Sequence, residues 1–354
     1  MKIGLWDVDG HNYPNLALMK ISAWHKAQGD EVSMIEFPTL EYYDKAYVSK
    51  VFGDEYSKMP DEYLNADEIV YGGTGFAITV ENGKEVYHKE LDKPLPYEIE
   101  HMYPDYSLYP ELTKDTAYGF LTRGCCNNCS FCIVSKKEGL CSTKVADLSE
   151  FWRGQKKIEL LDPNLLACKD RLDLLNQLAE SKAKVNFNQG LDARFITEET
   201  AKALAKVNIS TVHFAFDFMK NEAAIIKGLQ TFQKYCPVDS RNATVYICLR
   251  TTIPRLKKTF IESKRFKNAD SSRMFVCIES KPPPVQYGIC RGGAITVSFT
   301  VPANWRTMRR GKTGKHLKNY IWERSKNDRK RLDNSRPPQG KCGTEGACAG
   351  VDFC

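Results

Sequence analysis

The sequence has no hydrophobic stretch that approaches the roughly 20 consecutive apolar residues needed to cross a membrane. Its first residues, M-K-I-G-L-W-D, bring an acidic side chain by position 7, so no secretory signal is expected. Neither G-x-G-x-x-G nor G-K-[S/T] accompanies the glycines at 72–75, which alone are weak evidence for phosphate binding. These absences predict a cytoplasmic protein with no membrane partner.

Cysteine, by contrast, is plentiful: the 354 residues include 13. Disulfide frameworks belong to exported proteins, so without an export signal these cysteines indicate a reducing compartment and metal ligation. The length fits one large domain plus one small one, and 42% apolar residues can bury a sizeable core.

The formal net charge of +7 conceals a division along the chain. Residues 249–354 carry 23 Lys or Arg against 8 Asp or Glu, a net of +15. Residues 1–248 carry 28 against 36, a net of −8. This asymmetry predicts two pieces with different properties.

The first 90 residues carry short apolar runs separated by one helical pattern. The runs at 2–6, 32–37 and 68–71 predict strands, and apolar residues from 16 to 24 recur at helical spacing. This β-α-β order predicts a small Rossmann-like domain over 1–90, with a hairpin turn at Asn82-Gly83. Four prolines then mark residues 91–117 as an ordered linker.

Between residues 118 and 248, strand and helix patterns alternate five times, which predicts β/α units and a parallel sheet. In a parallel barrel, functional side chains gather at the C-terminal ends of the strands. Polar residues follow the apolar runs at these ends, although such residues can also simply cap the next helix. The strand ends carry the cysteine loop 125–132, Asp162, Asn164, Asn188, Asp192, Arg194 and Asp217.

The most specific motif is the loop Cys125–Cys132, which reads C-C-N-N-C-S-F-C. Cys125, Cys129 and Cys132 give the spacing C-x3-C-x2-C, and three thiolates this close can face one inorganic centre. An iron–sulfur cubane takes up to four thiolates, so three would leave one iron open. A structural zinc site needs four closed ligands, and no second cysteine pair accompanies the loop. Structural zinc is therefore the less favoured alternative.

Four segments together resemble the strand-end motifs of the radical S-adenosylmethionine (SAM) superfamily. They are R-G-C-C-N-N-C-S-F-C, L-D-P-N, G-L-D-A-R and F-A-F-D, in this order between residues 118 and 248. The resemblance implies a partial (β/α)6 TIM-type barrel that binds a [4Fe-4S] cluster and SAM. Reductive cleavage of SAM would yield a 5′-deoxyadenosyl radical that abstracts hydrogen from a substrate that the sequence does not identify.

The resemblance also implies roles for individual residues. Cys125, Cys129 and Cys132 would ligate the cluster, and Phe131 would lie near the adenine of SAM. Asn188, Asp192 and Arg194 are the further candidates for cofactor binding. Of these, Arg194 would lie near the carboxylate of SAM, which a guanidinium can pair bidentately. A reductant such as flavodoxin or ferredoxin is the expected partner.

The N-terminal domain resembles the cobalamin-binding-type Rossmann domains that precede many radical SAM barrels, including its glycine turn at 72–73. The lower-ligand signature D-x-H-x-x-G is matched only by Asp9 and His11, because Pro14 replaces its glycine. Bound cobalamin is therefore not expected. The same loop resembles the D-x-D-G of haloacid-dehalogenase-type phosphatases, but it lacks the threonine and the later acidic pair of that pattern.

After residue 248 the alternation ends. Residues 249–354 contain three consecutive prolines at 282–284 and scattered arginines, which predict an irregular, disordered, basic tail. Such a tail could instead hold RNA through phosphate contacts. The alternative function is accordingly a non-catalytic protein that binds structural zinc or associates with RNA.

A further hypothesis is that the tail is a frameshifted reading of its gene. Back-translation of residues 249 onward, read from the third base of the preceding codon, allows F-E-N-Y-D-T-T-P-E-E-D-I-Y-R-V. That text has the acidic helix start and the following strand that a sixth β/α unit requires. An intact reading frame at the locus, confirmed by a tryptic peptide from residues 300–350, would contradict the hypothesis.

Overall fold

The computed structural model describes residues 1–10, 13–54, 56–82, 84–129, 132–236, 238, 242–248, 273–277 and 297–298. The described residues belong to one compact unit. The predictions for His11 and for most of the tail therefore lie outside the described residues. Among the helices that are described, none has the length and apolar character to cross a membrane.

The N-terminal sheet has four parallel strands in the order β2-β1-β3-β4. Its first strand is followed by helix α1 (Leu16–Ala27), where the Asn15 side chain accepts a hydrogen bond from the Leu18 amide. The predicted β-α-β order is confirmed. Among the described residues from β1 to β4, α1 is the only α-helix. The strands are β1 (Lys2–Asp7), β2 (Glu31–Met34), β3 (Tyr43–Ser49) and β4 (Ala66–Gly72).

The predicted hairpin is confirmed: β5 (Ile78–Glu81) pairs antiparallel with β6 (Lys84–Tyr87). Two short helices follow, α2 (Tyr97–Glu100) and α3 (Pro110–Thr113). Near α3, the Tyr109 hydroxyl donates a hydrogen bond of 2.7 Å to Asp7 at the end of β1. The segment that was predicted to be a linker therefore contacts the carboxyl end of the N-terminal sheet.

The large sheet has the order β7-β10-β11-β12-β13-β14-β15, in which the first six strands are parallel and follow one another along the chain. A small antiparallel ladder, β8–β9, lies beside it. The elements are β7 (Thr116–Gly119), β8 (Thr122–Arg123), α4 (Val134–Glu138), β9 (Thr143–Lys144), β10 (Lys157–Leu160), α5 (Arg171–Ser181), β11 (Lys184–Leu191), α6 (Glu198–Leu204), β12 (Ile209–Phe216), α7 (Glu222–Tyr235), β13 (Ala243–Cys248), β14 (Arg273–Cys277) and β15 (Val297–Ser298).

Two elements differ from the sequence-based expectation. The strand predicted at 118–122 is split into β7 and β8, because the amides of Leu121 and Thr122 donate to the Asp162 carboxylate rather than continuing the ladder. Strand β14 lies in the stretch where no element was predicted, and it pairs in parallel with β13. Its pairing partner, β13, lies about 30 residues earlier in the chain. The five residues of β14 do not by themselves reveal a pairing over that distance.

One face of the large sheet forms the main core with helices α5, α6 and α7. Ile158, Val185 and Val212 are fully buried on three neighbouring strands. They pack with Leu174 and Leu204 from the helices in the same cluster. This apolar face leaves the other face of the strands, and their carboxyl ends, for polar side chains.

Gly228 of α7 lies against the carbonyl group of Ala193, in the turn that carries Arg194. A Cβ built on Gly228 would be 2.7 Å from the Ala193 carbonyl carbon and closer still to its oxygen, so the helix and the turn approach as closely as glycine allows. We expect Gly228→Ala to lower the free energy of unfolding by about 1–3 kcal/mol, as overpacking does. Urea unfolding measures this change in the free energy of unfolding, and Lys227→Ala on the exposed side of α7 is the control. Helix propensity alone predicts the opposite, a gain of about 1 kcal/mol.

Candidate cofactor site

The cysteine loop begins directly after β8 and is anchored at its first residues. The Glu138 carboxylate accepts hydrogen bonds from Arg123 Nη1 at 3.0 Å and from the Gly124 amide at 2.9 Å. The Cys125 amide donates to the Gly139 carbonyl oxygen at 3.2 Å. The end of α4 thus fixes the backbone on which the first cysteine stands.

Asp162, at the carboxyl end of β10, anchors the residues before the loop. Its buried carboxylate accepts from the Leu121 amide at 2.9 Å, the Thr122 amide at 2.6 Å and Thr122 Oγ1 at 2.5 Å. Burial raises the pKa of Asp162 to about 7, although these donors act in the opposite direction. The sequence marked Asp162 as a strand-end residue, and the structure shows that it positions the start of the loop.

The raised pKa of Asp162 predicts a pH effect on stability. The folded state binds a proton at this carboxyl group more readily than the unfolded state, whose pKa is near 3.9. The contribution of Asp162 to stability therefore falls as pH rises from about 4 to about 7. We expect wild-type protein to lose unfolding free energy relative to Asp162→Asn between pH 5 and pH 7.5, as measured by urea unfolding. Parallel pH profiles for the two proteins would contradict this assignment.

The three predicted cysteine ligands are half-buried and lie within electrostatic range of one another. Burial raises the pKa of the Cys129 thiol to about 12, with Asp217, Cys132 and Cys125 adding to the effect. Burial likewise raises the pKa of Cys132, and Cys125 adds to it. Such thiols lose their protons when a cationic centre binds them, because the metal stabilises the thiolate.

Cys125 also receives hydrogen bonds at its sulfur. The Asn127 amide donates to it at 3.4 Å, and Asn164 Nδ2 donates at 3.6 Å. Hydrogen bonds to cysteine sulfur are among the features that tune iron–sulfur clusters. Within the described ranges, no group of three or more His, Cys, Asp or Glu side chains is arranged to hold a single metal ion. A cubane binds each cysteine to a different iron, so its ligands need not converge as those of one ion do.

Asp192 and Arg194 form an ion pair beside the loop. Arg194 donates from Nε to Asp192 Oδ1 at 2.9 Å and from Nη2 to Asp192 Oδ2 at 2.6 Å. Burial would raise the pKa of Asp192, but the Arg194 guanidinium holds it below its ordinary value. Asn127, inside the cysteine loop, donates to Asp192 at 3.1 Å and accepts from Arg194 Nη2. The predicted pair is therefore joined to the cysteine loop through Asn127.

Asn164 completes this arrangement. Its side chain is almost fully buried, and Nδ2 also donates to Asp192 Oδ2 at 3.3 Å. Its Oδ1 is buried and has no hydrogen-bond partner among the described residues. A buried acceptor without a donor is costly. The donor set and this acceptor fit a ligand that brings an N–H or O–H group next to the loop, as SAM would.

The remaining predicted residues fall elsewhere. Asn188 lies within β11, where its side-chain oxygen accepts from Asn186 Nδ2 at 2.6 Å. Phe131 lies outside the described residues. Sequence reasoning did not single out Asn127 or Glu138. Asn127 could have been considered a candidate because it lies inside the cysteine motif. The residues around Glu138 give no sign that it contacts the loop.

The carboxyl end of the N-terminal sheet is the place where a cobalamin-type domain would bind its ligand. There Asp9 accepts from the amides of Val51 and Phe52, at 2.5 and 3.3 Å. Gly75 approaches the Lys50 backbone so closely that a Cβ would be 2.9 Å from its carbonyl oxygen. The close packing around Gly75 is therefore explained by contacts within the N-terminal domain. Lys137 of α4 donates to Thr74 at this edge, which brings the edge next to the helix that follows the cysteine loop.

Comparisons with known proteins show similarity in fold. No family model and no curated protein matches the chain. Among solved structures, the radical S-adenosylmethionine methyltransferase TsrM from Kitasatospora setae, with cobalamin and a [4Fe-4S] cluster bound, is similar over 78% of this chain and 75% of that one. The TM-score is 0.50 and the identity 11%. The same enzyme with tryptophan substrate and a SAM analogue bound gives 0.50 and 10%, over 78% and 72%.

This likeness is one of fold, because the identity is low. The fold agrees with the resemblance drawn from the motifs, since TsrM is a radical S-adenosylmethionine methyltransferase. The TsrM structure contains cobalamin, so the comparison does not support the expectation that cobalamin is absent here.

Proposed function

We propose that this chain is a radical SAM enzyme. One observation carries the proposal: three half-buried thiols stand on one loop at the carboxyl ends of parallel strands, beside a buried amide oxygen that lacks a donor. The likeness of the fold to a radical SAM methyltransferase supports it. The six consecutive parallel strands support a partial (β/α)6 barrel as the scaffold.

Cys125, Cys129 and Cys132 would hold the [4Fe-4S] cluster, with SAM at its open iron. When bound, these groups would supply reductive cleavage of a sulfonium and abstraction of hydrogen from a substrate. Glu138 and Asp162 hold the backbone at the start of the loop. Asn127 and Asn164 donate hydrogen bonds to the Cys125 sulfur and would orient it as a ligand.

The polar residues beside the loop would orient SAM. Arg194 Nη1 has no partner in the part of the chain that the structure describes, so it can reach the carboxylate of SAM while Asp192 holds the rest of the guanidinium. Asn164 Oδ1 would accept a hydrogen bond from the amino group or a hydroxyl group of SAM. Residues 118–248 would form the partial barrel, and the electron would come from flavodoxin or ferredoxin.

Anaerobic reconstitution tests the proposal. We expect about four irons and four sulfides per chain, a cubane signal in electron paramagnetic resonance after reduction, and formation of 5′-deoxyadenosine from SAM. One zinc per chain without iron would instead favour the non-catalytic alternative. Cobalamin can be added in the same experiment, and its retention on gel filtration would show whether the N-terminal domain binds it.

A further inference from the structure

The large parallel sheet has a polar face opposite its core. Tyr118, Glu159, Asn186 and Thr211 are register partners on four neighbouring strands, β7, β10, β11 and β12. Register partners point to the same side of a sheet, and the residues that alternate with them, such as Ile158, are in the core. Parallel sheets are usually apolar on both faces, so a polar row is unusual.

The side chains of this polar row are joined by hydrogen bonds. Asn186 Nδ2 donates to Glu159 Oε2 at 2.7 Å and to Asn188 Oδ1 at 2.6 Å. Asn186 Oδ1 accepts from the Thr211 hydroxyl. The row is therefore an ordered set of polar groups in fixed positions, which is what a specific ligand site requires.

The polar face continues along β12 and β13. His213 pairs in register with Thr244, and its Nδ1 is within hydrogen-bond distance of the Thr244 hydroxyl. Burial lowers the pKa of His213. Tyr246 packs against it, with ring centroids 5.3 Å apart. Arg273 of β14 is the register partner of Thr244, so the basic residue at this end of the face lies four strands away from Glu159.

Glu159 is the one carboxylate of the row, and no Lys, Arg or His of the described chain forms an ion pair with it. Its only hydrogen bond there is the one from Asn186, which uses Oε2. A carboxylate on a sheet face that has no cationic partner is complementary to a cationic ligand. Glu159 lies three residues before Asp162, whose carboxylate binds the amides of Leu121 and Thr122 just ahead of the cysteine loop.

We propose that the substrate is a small polar molecule with a cationic amine, and that Glu159 binds this amine. The proposal rests on the proposed function, since the polar face opens at its carboxyl end onto the cysteine loop. Asn188 and His213 line the same face and determine specificity through hydrogen bonds.

Calorimetry on the full-length, anaerobically reconstituted protein tests this inference. The probes are cadaverine and tryptamine, each compared with the neutral form in which every amine is acetylated. We expect the amines to bind and the acetylated forms to bind at least tenfold more weakly. Glu159→Gln keeps the size of the side chain and should weaken amine binding by about tenfold or more. Glu180→Gln, on the exposed side of α5, should leave it unchanged.

Iron content and a thermal midpoint are measured on the same samples, so the two proposals can fail separately. Protein without iron contradicts the proposed function, whatever binds. Iron-loaded protein that binds no amine, binds acetylated probes equally, or binds amines equally well after Glu159→Gln overturns this inference alone. A thermal midpoint of Glu159→Gln near that of the wild type shows that weaker binding is not due to unfolding.

Discussion

Replacing Cys129 by serine is expected to abolish cluster binding and 5′-deoxyadenosine formation. A serine hydroxyl group is a much poorer iron ligand than a thiolate. The two remaining cysteines would leave two irons of a cubane without protein ligands. We expect iron to fall from about four per chain to well below one, and the rate of SAM cleavage to fall at least 100-fold. Iron analysis, paramagnetic resonance and chromatography of the nucleoside measure these effects.

The matched control is Cys126→Ser in the same loop. Cys126 is exposed and stands next to Cys125, so it shares the loop and the chemistry but lies outside the C-x3-C-x2-C spacing. We expect this variant to keep its iron and most of its activity. Four irons per chain in Cys129→Ser, or equal losses in the two variants, would contradict the assignment of ligands.

The elements that were predictable from the sequence are those with local signals. Helix α1 follows its apolar spacing and its Asn15 cap, and α6 starts at Thr197, whose side chain accepts from the Thr200 amide. The cysteine spacing was predictable for the same reason, because eight consecutive residues contain it. The strand-end position of Asp192 and Arg194 followed from the alternation of strands and helices.

The contacts that position the loop were not predictable, because their partners are distant in the sequence. Asp162 binds amides about 40 residues earlier in the chain, and Glu138 binds Gly124 at a separation of 14. Each of these acids looks like an ordinary cap or surface charge when only its neighbours are read. The polar row through Glu159 depends on strand register, which becomes known only when the sheet is assembled.

Gly124→Ala is expected to disrupt the cysteine loop while leaving the rest of the fold in place. Gly124 has a φ angle of +87°, and a Cβ at this position would lie much closer to the Cys141 carbonyl oxygen than van der Waals contact allows. The left-handed conformation costs an alanine about 1–2 kcal/mol. The clash adds to this cost, and it can be relieved only by moving the backbone that carries Cys125. We expect iron loading to fall at least tenfold, with a thermal midpoint only a few degrees lower.

Gly139→Ala separates the two contributions. Gly139 ends α4 with a φ angle of +99°, but a Cβ there would meet no atom within 4 Å. This variant therefore pays a similar conformational cost without a clash, and its carbonyl oxygen can still accept from the Cys125 amide. We expect it to load iron nearly as well as the wild type. If both variants lose iron equally, backbone strain alone explains the requirement for glycine. If only Gly124→Ala does, the contact with Cys141 fixes where the first cysteine stands.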